Sequence, residues 1–390
     1  MNNPSKIDNN NYTPLLYSNK LIINRNVQPI IIVFSFFEMT MLLQTTYNRI
    51  GTIVAGTLSV IMIVLYLKKT HYVSASAQNV YILSYVIFLI LTSIVGIGFD
   101  KKLFQLVIYT ILFVLLGSLK ITRHEADIII ECYVLTGVVY ACMVILYRFK
   151  NPNIAYIHSK ITVLGSQLDP NYIGLPLVVS LSLLLYYMLN NQKYGYRFVE
   201  CILLSFGILL TSSRGNMLCL AVCLLFNIFV FLLNKKIQAK KKLQPLFFFF
   251  GFIFLFLLLS YKYYNSSWQR ILFYKSDDIT NGRYDLWMEG IHLWTKHILI
   301  GNGYEALGKS YYLGVHNTYI QVLCDSGLIG FILFSAFIYH LLKISCKKQN
   351  VLFCLIIILI HSMFLGAITS RCFWVSIILM IMLCNRRETT

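Results

Sequence analysis

The chain has 390 residues, 58% of them apolar and only 12% charged. A soluble globular domain carries roughly 25% charged residues, so the composition excludes one and points to a helical protein that crosses a membrane many times. In that setting the net charge of +18 reads as basic residues flanking helices on the cytoplasmic side, not as a nucleic-acid surface.

Residues 1–27 are polar and Asn-rich, with no small-residue cleavage site after the first apolar run, so they read as a cytoplasmic tail before an uncleaved helix rather than a signal peptide. Runs long enough to span then recur, at 28–45, 51–67, 79–99, 103–119, 126–147, 172–189, 197–211, 215–233, 244–261, 317–342, 351–367 and 371–385. The expected organisation is a bundle over 28–261, a large loop over 262–316, a second helical part over 317–385 and a short tail over 386–390. The fold class is therefore all-α and polytopic, with about twelve transmembrane helices and the large loop between the ninth and tenth. Ten cysteines lie in or beside the apolar runs and show no ligand spacing with histidine, so they read as packing residues.

Alternate connections are basic: Lys68/Lys69, Lys120/Arg123, Lys193/Arg197, the block Lys235–Lys242, Lys343/Lys347/Lys348 and Arg386/Arg387. The intervening short ones hold much less: Arg49, Lys101/Lys102, Arg214 and Arg371. The basic set is assigned to the cytoplasm, which puts both termini there. The loops 148–171 and 262–316 are then extracytoplasmic. The larger one carries three of the four tryptophans. Within it Tyr284, Trp287, Ile291, Trp294 and Ile298 follow the spacing of one helix face, which predicts a surface helix covering the bundle.

The polar groups suited to chemistry concentrate on that side. Arg283 opens the predicted helix, with Asn281 as its expected N-cap; free amides plus a guanidinium suit an oxyanion or phosphate. Arg214 lies in Ser212-Ser213-Arg214-Gly215 between two apolar runs, where hydroxyls, a cation and a glycine suit an anion at headgroup level. His316-Asn317 begins the tenth segment, and a histidine accepts a proton near neutral pH. Asp325 lies inside that segment, where a carboxylate is costly. Asp169-Pro170-Asn171 opens the sixth segment as a helix start with sugar or phosphate contact in reach. Glu38 and Glu131 are expected to pair with buried cations. The remaining histidines suggest no metal cluster.

This ordered set resembles the O-antigen polymerase and ligase superfamily, including Wzy-type capsule polymerases: Ser213-Arg214-Gly215, then Gly282-Arg283-Tyr284-Asp285-Leu286-Trp287, Gly301-Asn302-Gly303, His316-Asn317-Thr318-Tyr319 and Gly327-Leu328-Ile329-Gly330. The resemblance implies a C-type glycosyltransferase-like bundle in the bacterial cytoplasmic membrane. It implies metal- and cofactor-independent transfer of a saccharide from undecaprenyl diphosphate at the outer face. Arg214 and Arg283 would hold the diphosphate and His316 would activate the acceptor hydroxyl. Ser213, Asn171, Asp169, Tyr284, Asn317 and Asp325 are expected to bind substrate. The expected partners are the lipid-linked oligosaccharide as donor and acceptor, the bilayer, and other polysaccharide-assembly membrane proteins. Richness in Ile, Asn, Lys, Tyr and Phe suggests an AT-rich genome and favours a polymerase over a ligase. A flippase or transporter would spread its polar residues through the bundle, whereas here they gather at one face.

Overall fold

The computed structural model describes residues 27–43, 49–69, 75–96, 101–151, 161–163, 166–191, 195–233, 283–311 and 314–387, with six isolated positions between 242 and 258. Among these the helices are α1 (Pro29–Met39), α2 (Arg49–Lys69), α3 (Ala77–Val95), α4 (Lys101–Leu116), α5 (Arg123–Lys150), α6 (Pro170–Asn191), α7 (Gly195–Leu210) and α8 (Arg214–Leu233). They continue with α9 (Arg283–Lys296), α10 (Ala306–Tyr311), α11 (Thr318–Ser345), α12 (Gln349–His361) and α13 (Arg371–Cys384). Eleven of the expected apolar segments fall on these helices; the ninth, 244–261, lies outside the described residues apart from isolated positions, as does the tail 1–26. Six helices (α2, α3, α5, α6, α8 and α11) are long and apolar enough to cross a membrane. The protein is a polytopic helical membrane protein.

Burial sorts the helices. α6 is central, packed against α5, α7, α8, α12 and α13, and α13 is buried from Arg371 through Leu383. Both are apolar on every face, as a helix enclosed by others must be. α2, α3 and α8 instead expose Ile, Leu, Val and Phe on their outer sides, the pattern of helices that face lipid.

One end of the bundle collects the segments read as cytoplasmic. Thr122 and Glu125 form a capping box on α5, and Glu125 Oε1 also accepts from the Gln28 amide at 2.9 Å. Lys69 reaches Gln28, the Arg387 amide donates to the Ile121 carbonyl at 2.9 Å, and Lys348 donates to the Leu383 carbonyl at 2.9 Å. Four basic clusters that are far apart in sequence thus share one end. Within the bundle Glu131 pairs with Arg197, which also holds Glu200 at 2.9 Å. Glu38 departs from expectation: it is fully buried with both oxygens lacking a hydrogen-bond partner.

The connection before α6 contains an element that no periodicity announced, an antiparallel hairpin pairing Ile161–Val163 with Ser166–Leu168. It delivers the chain directly to Asp169.

Candidate functional site

The site is built from helix starts. Asp169 precedes Pro170, the first residue of α6, where proline's missing amide costs nothing. The Asp169 carbonyl accepts from the Tyr172 amide at 3.1 Å, and its Oδ1 accepts from both the backbone and side-chain nitrogens of Asn171 at 2.8 Å. Asn171 Oδ1 accepts from the Ser213 hydroxyl at 2.7 Å. Ser213 immediately precedes α8, and its Oγ accepts from the Asn216 amide at 3.4 Å, an N-cap contact. The residue before it, Ser212, has φ 52°, a left-handed conformation that aims the turn back toward α6.

Asn216 ties a third helix in. Its Nδ2 donates to the Pro170 carbonyl and to Thr211 Oγ1, both at 3.0 Å. That turns its oxygen toward His361 Nε2 at 2.9 Å; since an amide oxygen only accepts, the hydrogen sits on Nε2. Gly174 makes the approach possible, because a Cβ there would lie 2.1 Å from the Asn216 amide. Asn171, Ser213, Asn216 and His361 are all buried. They form one hydrogen-bonded network joining the starts of α6 and α8 to the end of α12, with the second ring nitrogen of His361, Nδ1, buried and unpartnered.

On this frame four charged or titratable groups from separate stretches meet. Arg283, half-buried, is the first residue of α9. Burial lowers its pKa, the nearby Asp169 carboxylate opposes that, and the nearby Arg214 charge adds to the lowering. His316 is held two residues before α11 with φ 50°. Burial pulls its imidazole below the ordinary 6.5, Asp169 works against the shift and Arg283 reinforces it. His316 is therefore neutral at pH 7, with a free lone pair on one ring nitrogen. Ser212, Glu305 and His316 are the non-glycine residues with positive φ among the described residues; His316 belongs to this cluster and Ser212 lies in the turn that carries Arg214. Strain of this kind gathers at functional sites.

Other expected site residues have structural work. Asn317 caps α11, its Oδ1 accepting from the Tyr319 and Ile320 amides at 3.0 and 3.2 Å. Asp325 is buried, and its carboxylate accepts from the Glu305 and Ala306 amides at 3.0 and 3.2 Å; it clasps the turn before α10 onto α11. Ser213 and Asn171 hold one another and position the turn beside them. Tyr284 is 56% exposed at the start of α9. Of the helical face predicted for α9, Trp287, Ile291 and Trp294 are half-buried and Tyr284 and Ile298 at its ends are exposed; the helix also meets the bundle through Gly290, packed against Ile320 and Val315. Asn281 lies outside the described residues.

Three residues of this end escaped the sequence reading. His361 and Asn216 carry no local signal, because they are 145 positions apart. Arg148 is buried and donates to the Leu210 carbonyl at 3.0 Å, capping the α7 end that leads into the Ser212–Arg214 turn. Its place near the end of a long apolar run was the available hint. Among the described residues no three His, Cys, Asp or Glu side chains gather as metal ligands would.

The starts of α6, α8, α9 and α11 each supply Asp169, Arg214, Arg283 or His316 to this cluster. Helix starts carry partial positive charge and unpaired amides, and the Arg283 guanidinium lies near both the Asp169 carboxylate and the Arg214 guanidinium. The arrangement favours an anion beside a neutral imidazole. Residues 200–335 match a family model described as O-antigen ligase. The match includes Arg214, Arg283 and His316 and leaves out Asp169 and His361. No curated protein matches the chain.

Proposed function

Taking as premise the O-antigen polymerase and ligase superfamily, which the matched domain supports, we propose that the protein transfers a growing glycan from undecaprenyl diphosphate to the hydroxyl of a second lipid-linked repeat, at the outer face of the cytoplasmic membrane. The observation that carries this reading is the meeting of Arg214, Arg283, Asp169 and His316 at one end of the bundle.

The chemistry follows from those groups. The acceptor oxygen attacks the anomeric carbon of the donor, and the bond from that carbon to the diphosphate oxygen breaks. The leaving diphosphate takes the electron pair, and Arg214 and Arg283 neutralise the charge it gains. The hydroxyl proton passes to the neutral imidazole of His316. Asp169 stabilises the imidazolium so formed and keeps the two arginines from repelling each other. A single displacement inverts the anomeric centre. Tyr284 lies beside the start of α9 and contacts the incoming sugar.

Arg214→Ala, Arg283→Ala and His316→Ala, each expressed in a deletion strain, test the assignment by gel analysis of surface glycan. Each is expected to leave the protein in the membrane and to replace the ladder by single repeats. Normal ladders in all three would sink it. The matched family's description favours a second reading, attachment of finished glycan to a lipid core. In that case the variants accumulate full-length chains still on their polyprenyl carrier.

A further inference from the structure

The Gly301-Asn302-Gly303 turn and Gly327 play no part in that chemistry, yet the fold brings them together. α11 is broken at Gly327, with φ 62° and ψ −164°. The break frees backbone groups, and the turn after α9 fills them. The Ile298 carbonyl accepts from the Leu328 amide at 2.9 Å and the Leu299 carbonyl from the Ile329 amide at 3.1 Å. In return the Asn302 amide donates to the Cys324 carbonyl at 3.0 Å and the Gly303 amide to the Asp325 carbonyl at 2.9 Å. The approach is too close for side chains: a Cβ on Gly301 would lie 2.4 Å from the Gly327 nitrogen.

Two counts give the depth of this splice. Lys343 is the exposed basic residue at the far end of α11. Counting back from it, about 30 Å of hydrocarbon at about 1.5 Å per residue ends near residue 323. On the other side, Ser93 Oγ accepts from the Tyr304 amide at 2.9 Å, two residues from the end of the 19-residue span α3. Both counts put residues 302–304 at the hydrocarbon edge. Ile298 and Leu299, bonded to Leu328 and Ile329, then lie roughly 8 Å inside it, with Ile300 between them and the edge.

Their side chains point away from the protein, with Ile298 49%, Leu299 59% and Ile300 44% exposed. They continue the exposed apolar surface of Leu328, Ile329 and Ile332 on α11 and of Ile94 and Val95 on α3. Lys296 and His297, just before them, are exposed, the polar rim expected where a chain enters the headgroup layer.

We infer that Ile298, Leu299 and Ile300 insert among the acyl chains of the bilayer, so that the α9–α10 turn is a re-entrant anchor. Non-helical backbone survives at this depth when protein satisfies its polar groups, and α11 does so here. The anchor holds the end of α9 in the membrane and thereby keeps Arg283, at the other end of the helix, over the bundle.

The test uses the full chain in phosphatidylethanolamine and phosphatidylglycerol vesicles. A spin label is attached through a ketone-bearing amino acid at position 299, leaving the native cysteines untouched. The label should collide with oxygen several-fold more often than with a water-soluble nickel chelate, as a label at Ile332 should, whereas a label at His292 should show the reverse. Position 298 serves if the first variant fails to insert. Labels at both positions that behave like the one at His292 overturn the inference. So does shielding from both probes, which would mark a protein partner instead. The measurement reads depth and not glycan, so its failure is distinct from failure of the glycosyl-transfer reading.

Discussion

In the proposed transfer His316 acts in its neutral form, and its surroundings make that form the stable one. Burial and the Arg283 charge hold its pKa below 6.5 against the pull of Asp169. Activity with purified lipid-linked repeats should be flat above about pH 6.5 and should fall roughly tenfold per pH unit below the His316 pKa. Asp169→Asn removes the opposing carboxylate, so the acid limb should move to still lower pH while the maximal rate falls. Stability follows the same sign. The unfolded chain takes up a proton near pH 6.5 and the folded site resists it, so the fold loses stability as pH drops through that value and gains nothing above it.

His361 illustrates a residue that acts through others. Truncation to alanine leaves Asn216 Oδ1 buried without its donor, a cost of about 1–3 kcal/mol, visible as a lower unfolding midpoint in detergent. It also loosens the turn that carries Arg214. His361→Ala should lower the transfer rate by about tenfold without moving the acid limb set by His316, and His361→Gln should recover part of the loss. An acid limb that shifts in His361→Ala would place this imidazole in the proton transfer itself.

At the scale of elements, the splice of the α9–α10 turn into the broken α11 is the joint on which the surface helix depends. Gly327 sits at a φ and ψ that side-chain-bearing residues rarely adopt, and Gly301 has φ 75°. Gly327→Ala should destabilise the protein by at least about 1–3 kcal/mol from backbone strain alone, with the contact at the Leu299 carbonyl adding to that. Thermal unfolding in detergent measures it. Gly56, which has open space at its Cβ position, should accept alanine with little change.

The whole molecule is polarised between two ends. One ties together Gln28, Lys69, Glu125, Lys348 and Arg387; the other carries the helix starts of the candidate site. The positive-inside rule assigns the first to the cytoplasm. Fusions of alkaline phosphatase after residue 312 should be active, and fusions of a fluorescent protein at residue 390 should glow. The reverse pattern would turn the protein over and remove the site from the outer face.

Apolar run length and basic alternation were enough to read the helical membrane class, the helix positions and the shared end of the basic clusters. Lipid demands contiguous apolar helices, and their flanking charges are local in sequence. The short motifs around Arg214, Arg283 and His316 were legible for the same reason. Which groups surround them was not. Asp169 was a candidate in its own right, but its nearness to His316, the buried His361 and the glycine splice depend on side chains and backbones brought together by packing, His361 and Asn216 from positions 145 residues apart. The α9 face was legible in its middle, where Trp287, Ile291 and Trp294 are half-buried, but the close contact at Gly290 was not, because it rests on the lack of a side chain. Local pattern set where the helices run; only packing among them decided which helix starts share the candidate site, because that choice rests on contacts no single segment contains.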